Sequence, residues 1–256
     1  MSIMADLTIT IDGPAASGKS TVARLLAETL DASFLDTGAM YRAVTLAAMR
    51  AGVDLNDELK LLDIARKCEF RFSVEAGKTV VCIDNVDITE RIREPEVTAN
   101  ARHIAGAPEV RGELVQMQRQ FAAGTQRVVT EGRDQGTVAF ADADVKFFLT
   151  AEAGERARRR QAQLLSNADC RMPIDSNRKS KACPERSRRI ENRKESMSLE
   201  QIQRAIEERD KSDESRAVGP LKPADDAIAV DTTDLSIDEV VEKLLTLVKE
   251  RCSQSN

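Results

Sequence analysis

The stretch Gly13-Pro14-Ala15-Ala16-Ser17-Gly18-Lys19-Ser20 constrains the fold of this chain more than any other segment. It follows Leu7 to Ile11 (LTITI), a short β-rich run, and precedes STVARLLAETL, in which Val22, Leu25, Leu26 and Leu30 fall on one helical face. Strand, glycine-rich turn and helix in that order are the context in which G-x-x-x-x-G-K-S cradles phosphates. The glycines let the backbone curl so that successive N–H groups point inward, and the helix N-terminus adds positive potential. Lys19 then reaches the outer phosphates of a nucleoside triphosphate, and the Ser20 hydroxyl is a ligand for Mg2+.

The rest of the chain alternates strands with helices. FLDTGAMYRAVTLAAMRAG reads as a strand end near Phe34 and Leu35, a turn, and a helix stopping near Gly52. FRFSV and TVVCI flank Glu75 to Lys78 and predict an antiparallel hairpin within residues 69–89. A helical stretch from about Pro95 to Ala123 leads to the strands RVVTEGRD and VKFFLTA, then to the helix ERARRRQAQLL. Ser198 is placed to cap a helix SLEQIQRAIEERDKSDESR, and AIAVD and IDEVVEKLLTLVKERC supply a last strand and a terminal helix. The predicted fold is α/β, with a mostly parallel five-stranded sheet flanked by helices and interrupted by a small antiparallel β insertion.

Charge and composition narrow the chemistry. The chain carries 38 Lys and Arg against 43 Asp and Glu, but residues 156–194 alone hold 13 basic against 4 acidic side chains. Overlapping that segment, residues 166–198 lack any apolar period and are rich in Ser, Asn, Arg and Lys, which predicts a disordered basic insertion. That insertion is the one place where an RNA or other polyanion contact is conceivable. With His103 the only histidine, a histidine relay or His-rich metal site is excluded. Five scattered cysteines, none in C-x-x-C spacing, give no disulfide framework or zinc ribbon. No apolar run approaches bilayer length and the N-terminus lacks a signal-peptide pattern, so a cytoplasmic protein is expected.

A triphosphate loop does not name the acceptor. If the acceptor is itself a polyanion, fixed cations must stand between the two, and arginine binds phosphate oxygens in a planar fork without losing its charge. Arg42 sits beside Asp36 and Tyr41, and Arg133 with Asp134 ends a strand, where α/β folds place ligands. Arg159 and Arg160 share one helix; Arg209, Asp213 and Arg216 share a face of another.

These residues resemble a known family, the bacterial cytidylate kinases, which are P-loop nucleoside monophosphate kinases. The markers are ITIDGPAASGKST, FLDTGAMYRAV, PEVRGELVQMQRQF, EGRDQGTVAF, VKFFLTA, ERARRR and AVGPLKPADDAIAVDTT, together with the helix bearing Arg209, Asp213 and Arg216. The resemblance covers nearly the whole chain outside residues 166–198 and implies transfer of the ATP γ-phosphoryl group to CMP or dCMP. It implies that Gly13 to Thr21 hold ATP and that Thr37, Tyr41, Arg42, Arg111, Asp134, Arg209, Asp213 and Arg216 hold CMP. Lys19, Arg133, Arg159 and Arg160 are the expected catalytic charges, with Mg2+ on Ser20 and Asp36 acting on it through water. A single kinase unit is expected: a core of 1–35, 124–155 and 217–256, a CMP-binding region of 36–123, and a lid of 156–216. Working as a monomer is the expected state. Three departures from the family pattern stand out: Arg102 in place of a small hydroxyl residue, Ser212 in place of an arginine, and Gln135 in place of Met. Two other readings stay open: another P-loop small-molecule kinase, whose hydroxyl acceptor would want a base near Arg42 or Asp36, and a weakly active or non-catalytic nucleotide-binding protein.

Overall fold

The computed structural model describes residues 6–75, 78–170 and 197–254. Five parallel strands form the central sheet: β1 (Leu7–Asp12), β2 (Ser33–Asp36), β6 (Arg127–Glu131), β7 (Val145–Thr150) and β8 (Ile228–Asp231), in spatial order β2-β6-β1-β7-β8. β1 is the middle strand, paired with β6 on one side and β7 on the other. That position explains its composition: a central parallel strand is covered on both faces, so LTITI is apolar or β-branched throughout, and Leu7, Ile9 and Ile11 are buried.

Helices α1 (Lys19–Leu30) and α8 (Ile237–Gln254) cover one face, where Val22, Leu26, Leu30, Val240, Leu244 and Val248 meet Ile9, Ile11, Phe147 and Leu149. On the other side α2 (Thr37–Arg50), α3 (Glu58–Lys67), α4 (Pro95–Gly106) and α5 (Pro108–Ala123) enclose Leu35, Met40, Val44, Leu61, Ile104 and Leu114. The predicted hairpin is present as β3 (Phe70–Glu75) and β4 (Lys78–Ile83), antiparallel with Phe70 opposite Ile83, and a short β5 (Val86–Asp87) adds a third strand. Among the described residues no helix is long and apolar enough to cross a membrane.

Three local features differ from the sequence expectation. The stretch from Pro95 to Ala123 is two helices, because Pro108 forces Ala107 out of the helical region, to φ −92° and ψ 106°. Helix α3, capped by the Asp57 side chain on Lys60 N, fills a segment for which the apolar pattern gave no element. Helix α6 (Ala153–Cys170) continues past Ser166, where the apolar period ends. Of the rest of the expected insertion, 171–196 lies outside the described residues. Ser198 caps α7 (Leu199–Glu214) in a reciprocal capping box with Gln201.

A candidate active site at the carboxyl ends of the strands

Parallel strands that run together end together. Asp36 of β2 is level with Glu131 of β6, which is level with Ile11 of β1. The loops that leave these three ends therefore converge on one crevice, the place where open α/β sheets bind ligands.

The first loop, after β1, is the phosphate loop. Gly13 has φ +146°, and a Cβ there would lie 2.1 Å from the Leu149 carbonyl oxygen of the next strand. Only glycine permits that approach. Gly18, at φ +93°, turns the chain into α1. Lys19 is folded back into the loop, its Nζ donating to Pro14 O at 2.6 Å and to Ser17 Oγ at 3.4 Å. Burial, and next to it the Arg133 guanidinium, pulls the Lys19 ammonium down to about 7. Asp12, the last residue of β1, accepts from Gln135 N and Gly136 N at 2.9 and 2.8 Å. Burial pushes its carboxyl up to about 6.

The second loop leads from β2 into α2. Asp36 caps that helix by accepting from Ala39 N at 2.8 Å, and its other oxygen meets Arg42 Nη2 at 3.3 Å. Thr37 Oγ1 donates to the Glu131 carbonyl at 2.7 Å, which ties the β2 and β6 ends together. The Glu131 carboxylate accepts from Ser20 Oγ at 2.9 Å. Burial and the neighbouring Asp36 charge raise the Glu131 carboxyl above the usual carboxylate range.

The third loop follows β6 and carries Gly132, Arg133 and Asp134 into a π-helical turn, Gln135–Ala139. Asp134 is buried and paired with Arg111 of α5, whose guanidinium lies over the Tyr41 ring, 5.6 Å from its centre. Burial pushes the Tyr41 phenol up to about 12. Gly219, with φ +60°, passes so close that a Cβ there would lie 2.1 Å from Arg111 Nη2 and 2.2 Å from Asp134 Oδ2. Gln135, one of the departures from the family pattern, receives the Thr130 hydroxyl on Oε1 at 2.9 Å, so it braces the turn from below.

Helix α7 closes the circle. Arg133 Nε donates to Asp213 Oδ2 at 2.8 Å, and Arg216 pairs with the other oxygen of the same carboxylate. Burial would raise Asp213, but Arg133 and Arg216 outweigh it and hold the carboxyl below its ordinary value. Arg209 is pulled down to about 10 by burial, then by Arg133, with Arg42 and Arg160 adding to the repulsion. Arg42, Arg133, Arg160, Arg209 and Lys19 thus form one field of positive charge. Arg159 stands apart from it: its guanidinium is taken up by Glu155 Oε1, the Thr232 hydroxyl and the Thr232 and Thr233 carbonyls. Arg160 donates to Gln163 Oε1 at 2.7 Å. Arg102 is exposed on α4, and Ser212 accepts at its carbonyl from Ser215 Oγ at 3.4 Å.

Reasoning from sequence passed over Asp12, Glu131 and Gly219. A signal existed for the two acids, since each is the acidic last residue of a buried β-rich strand. Gly219 offered none, because its neighbours Arg111 and Asp134 are distant in the chain.

Comparison with known proteins agrees with this arrangement. The cytidylate kinase family profile matches residues 9–171 and 163–250. A cytidylate kinase of Desulfitobacterium hafniense (strain Y51) is 42% identical over 246 residues, covering 96% of this chain and 94% of that one. One from Rhodococcus jostii (strain RHA1) is 40% identical over 245 residues, 96% of each chain. One from Rhodopirellula baltica is 42% identical over 250 residues, 98% of this chain and 95% of that one. With a phosphate loop, a facing arginine cluster and this degree of likeness over almost its full length, the chain belongs to the cytidylate kinase family.

Proposed function

We propose that the crevice seats ATP on the phosphate loop and a cytidine monophosphate among the facing arginines, and that the chain transfers the γ-phosphoryl group from one to the other. The product is CDP or dCDP. The observation that carries this reading is geometric: the phosphate loop with Lys19 and the loop with Arg133 leave the level ends of the paired strands β1 and β6, and Arg133 is fixed there by donating to Asp213 of α7 at 2.8 Å. A donor-phosphate cation and acceptor-side cations facing each other are what two polyanions in line require.

In this reading Gly13 to Thr21 surround the triphosphate, and Lys19 straightens from Pro14 O toward the outer phosphates. The acceptor is a phosphate monoester, whose second pKa near 6 leaves it ionised at neutral pH. No general base is needed. Arg42, Arg133, Arg160 and Arg209 neutralise the transferring group, and Asp213 holds Arg133 and Arg216 in place for it. Thr37, Tyr41 and the Arg111–Asp134 pair form the nucleoside end of the pocket, where paired polar groups reject a ligand that leaves them unmatched. Arg159, anchored on the Thr232 and Thr233 carbonyls beside Gly18 of the phosphate loop, adds a further catalytic charge on the donor side.

The oxygen donors at Ser20 suit Mg2+. Its hydroxyl, the buried Glu131 carboxylate and Asp36 stand together, and the raised Glu131 carboxyl marks a place that a cation would favour. Ser20 would be the direct ligand, with Asp36 and Glu131 reached through water. Phosphate oxygens and water would supply the other ligands, since among the described residues no three His, Cys, Asp or Glu side chains gather into a cage. When bound, the metal neutralises triphosphate charge. Action as a monomer in the cytoplasm completes the proposal. Residues 36–123 serve as the acceptor-binding region and 156–216 as the lid.

A coupled assay with ATP and each of CMP, dCMP, UMP, AMP and shikimate tests the proposal. Turnover is expected with CMP and dCMP well above the others. Preference for UMP, AMP or shikimate refutes the acceptor, and no transfer to any of them refutes the reaction.

A further inference from the structure

Helix α7 carries a buried stripe of Ile202, Ile206, Asp210 and Asp213. The two isoleucines, with Ala157 of α6, pack on Ala15 of the phosphate loop. Asp210 then engages the backbone of that same residue: Oδ1 accepts from Ala15 N at 2.9 Å, and Oδ2 is paired with Arg156 Nη1. Arg156 in turn donates to Ala15 O at 3.2 Å and, through Nε, to Ala151 O at 3.0 Å. Both polar groups of one phosphate-loop peptide residue are therefore held by a single ion pair, and that pair joins α6 to α7. Arg156 is 8% exposed and Asp210 6%, so the geometry is not averaged away by solvent. The same helix presents Arg209, the residue before Asp210, and Asp213, one turn along, to Arg133 on the acceptor side.

We propose that the Arg156–Asp210 pair is a positioning device that couples the two nucleotide pockets: by pinning α7 to Ala15 it makes occupancy of the phosphate loop raise the affinity of the arginine pocket for its monophosphate, and the reverse. The inference rests on the assignment of the loop to ATP and of the arginine pocket to CMP. Neither residue is given a substrate contact; each acts through Ala15 and α7. A rigid element attached to both sites is the physical connection that coupling requires, and the effect must be reciprocal. The pair is directional as well as buried. A lysine at 156 keeps a charge for Asp210 but cannot fork to Asp210, Ala15 O and Ala151 O together.

Calorimetric titration of the full chain with CMP, alone and in the presence of a saturating non-hydrolysable ATP analogue (AMP-PNP) with Mg2+, reads the coupling directly. The variants are Arg156→Lys and the double replacement Arg156→Met with Asp210→Leu; apolar substitution of both partners keeps the interior packed where removal of one would strand a charge. The unmodified chain should bind CMP about fivefold or more tightly with the analogue, and in both variants that ratio should fall below about twofold. CMP affinity without the analogue should stay within about threefold of the unmodified value, which a role confined to stability would not combine with a lost ratio. A variant that keeps the original ratio overturns the inference, as does an unmodified chain in which the analogue leaves CMP affinity unchanged. Failure of the functional assignment has a different signature, no CMP binding by the unmodified chain under either condition, and it overturns this inference too.

Discussion

Replacing Gly219 with alanine should damage the acceptor pocket selectively. The atoms nearest a Cβ there all belong to the Arg111–Asp134 pair, with Arg111 Nη2 at 2.1 Å and Asp134 Oδ2 at 2.2 Å, where ordinary contact begins at 3.4 Å. The guanidinium and the carboxylate must each move by about 1 Å, which breaks the close geometry that a charge-assisted bond requires. Such a bond contributes about 1.5–3 kcal/mol, so KM for CMP should rise roughly 10- to 100-fold. The left-handed backbone at φ +60° adds about 1–2 kcal/mol of lost stability, to be read in a denaturant titration. KM for ATP, read at saturating CMP, should stay within about twofold, because the substitution strikes Arg111 and Asp134 and leaves the Arg156–Asp210 hold on Ala15 in place. Steady-state kinetics with each substrate varied in turn make the comparison. A folded Gly219→Ala chain with an unaltered KM for CMP would refute the placement of Arg111 and Asp134 at the nucleoside end.

Two further outcomes follow from buried charges. Asp12 is raised from 3.8 to about 6 by burial, so the fold prefers its protonated form. That preference stabilises the protein fully below pH 3.8 and is lost as pH rises through about 6; from pH 4 to 7 this group alone should lower the unfolding free energy by about 2 kcal/mol. Asp12→Asn should flatten that part of the curve, and an unchanged slope would contradict the assignment. Lys19, lowered from 10.5 to about 7, is mostly neutral at pH 8 in the free chain and should regain its proton beside a triphosphate. Calorimetry of ATP binding at pH 8 in two buffers of different ionisation enthalpy should show uptake of close to one proton that Lys19→Met lacks; equal uptake by both chains would count against it.

Much of this was legible in the sequence, and the reason is local. The phosphate loop, the five core strands and the capping Ser198 all depend on contiguous residues, whose periods of 2 and 3.6 and turn chemistry are written side by side. The third strand of the small sheet, β5, has two residues and both are exposed, so it left no period to read. The break between α4 and α5 was marked by Pro108, but the strong apolar pattern on both sides masked it. At the site, individual residues were nameable and their partnerships were not. Arg209, Asp213 and Arg216 share a helix face, yet that Asp213 holds Arg133, and that neighbouring Asp210 holds the phosphate loop instead, depends on packing across 80 and 195 residues of chain. Arg159 shows the same: its helix and charge were readable, but not that the Thr232 and Thr233 carbonyls hold its guanidinium beside Gly18 of the phosphate loop.

The claim beneath all of this is that the lysine cradle and the arginine pocket open into one cleft and are filled together. A single molecule joining adenosine to cytidine through five phosphates tests it most directly, because it can reach both pockets only if they face each other. Titrated into the chain with Mg2+, it should bind roughly 10²-fold or more tightly than ATP and be displaced by CMP as well as by ATP. Binding no tighter than ATP, and indifferent to CMP, would mean that the two pockets do not share a cleft.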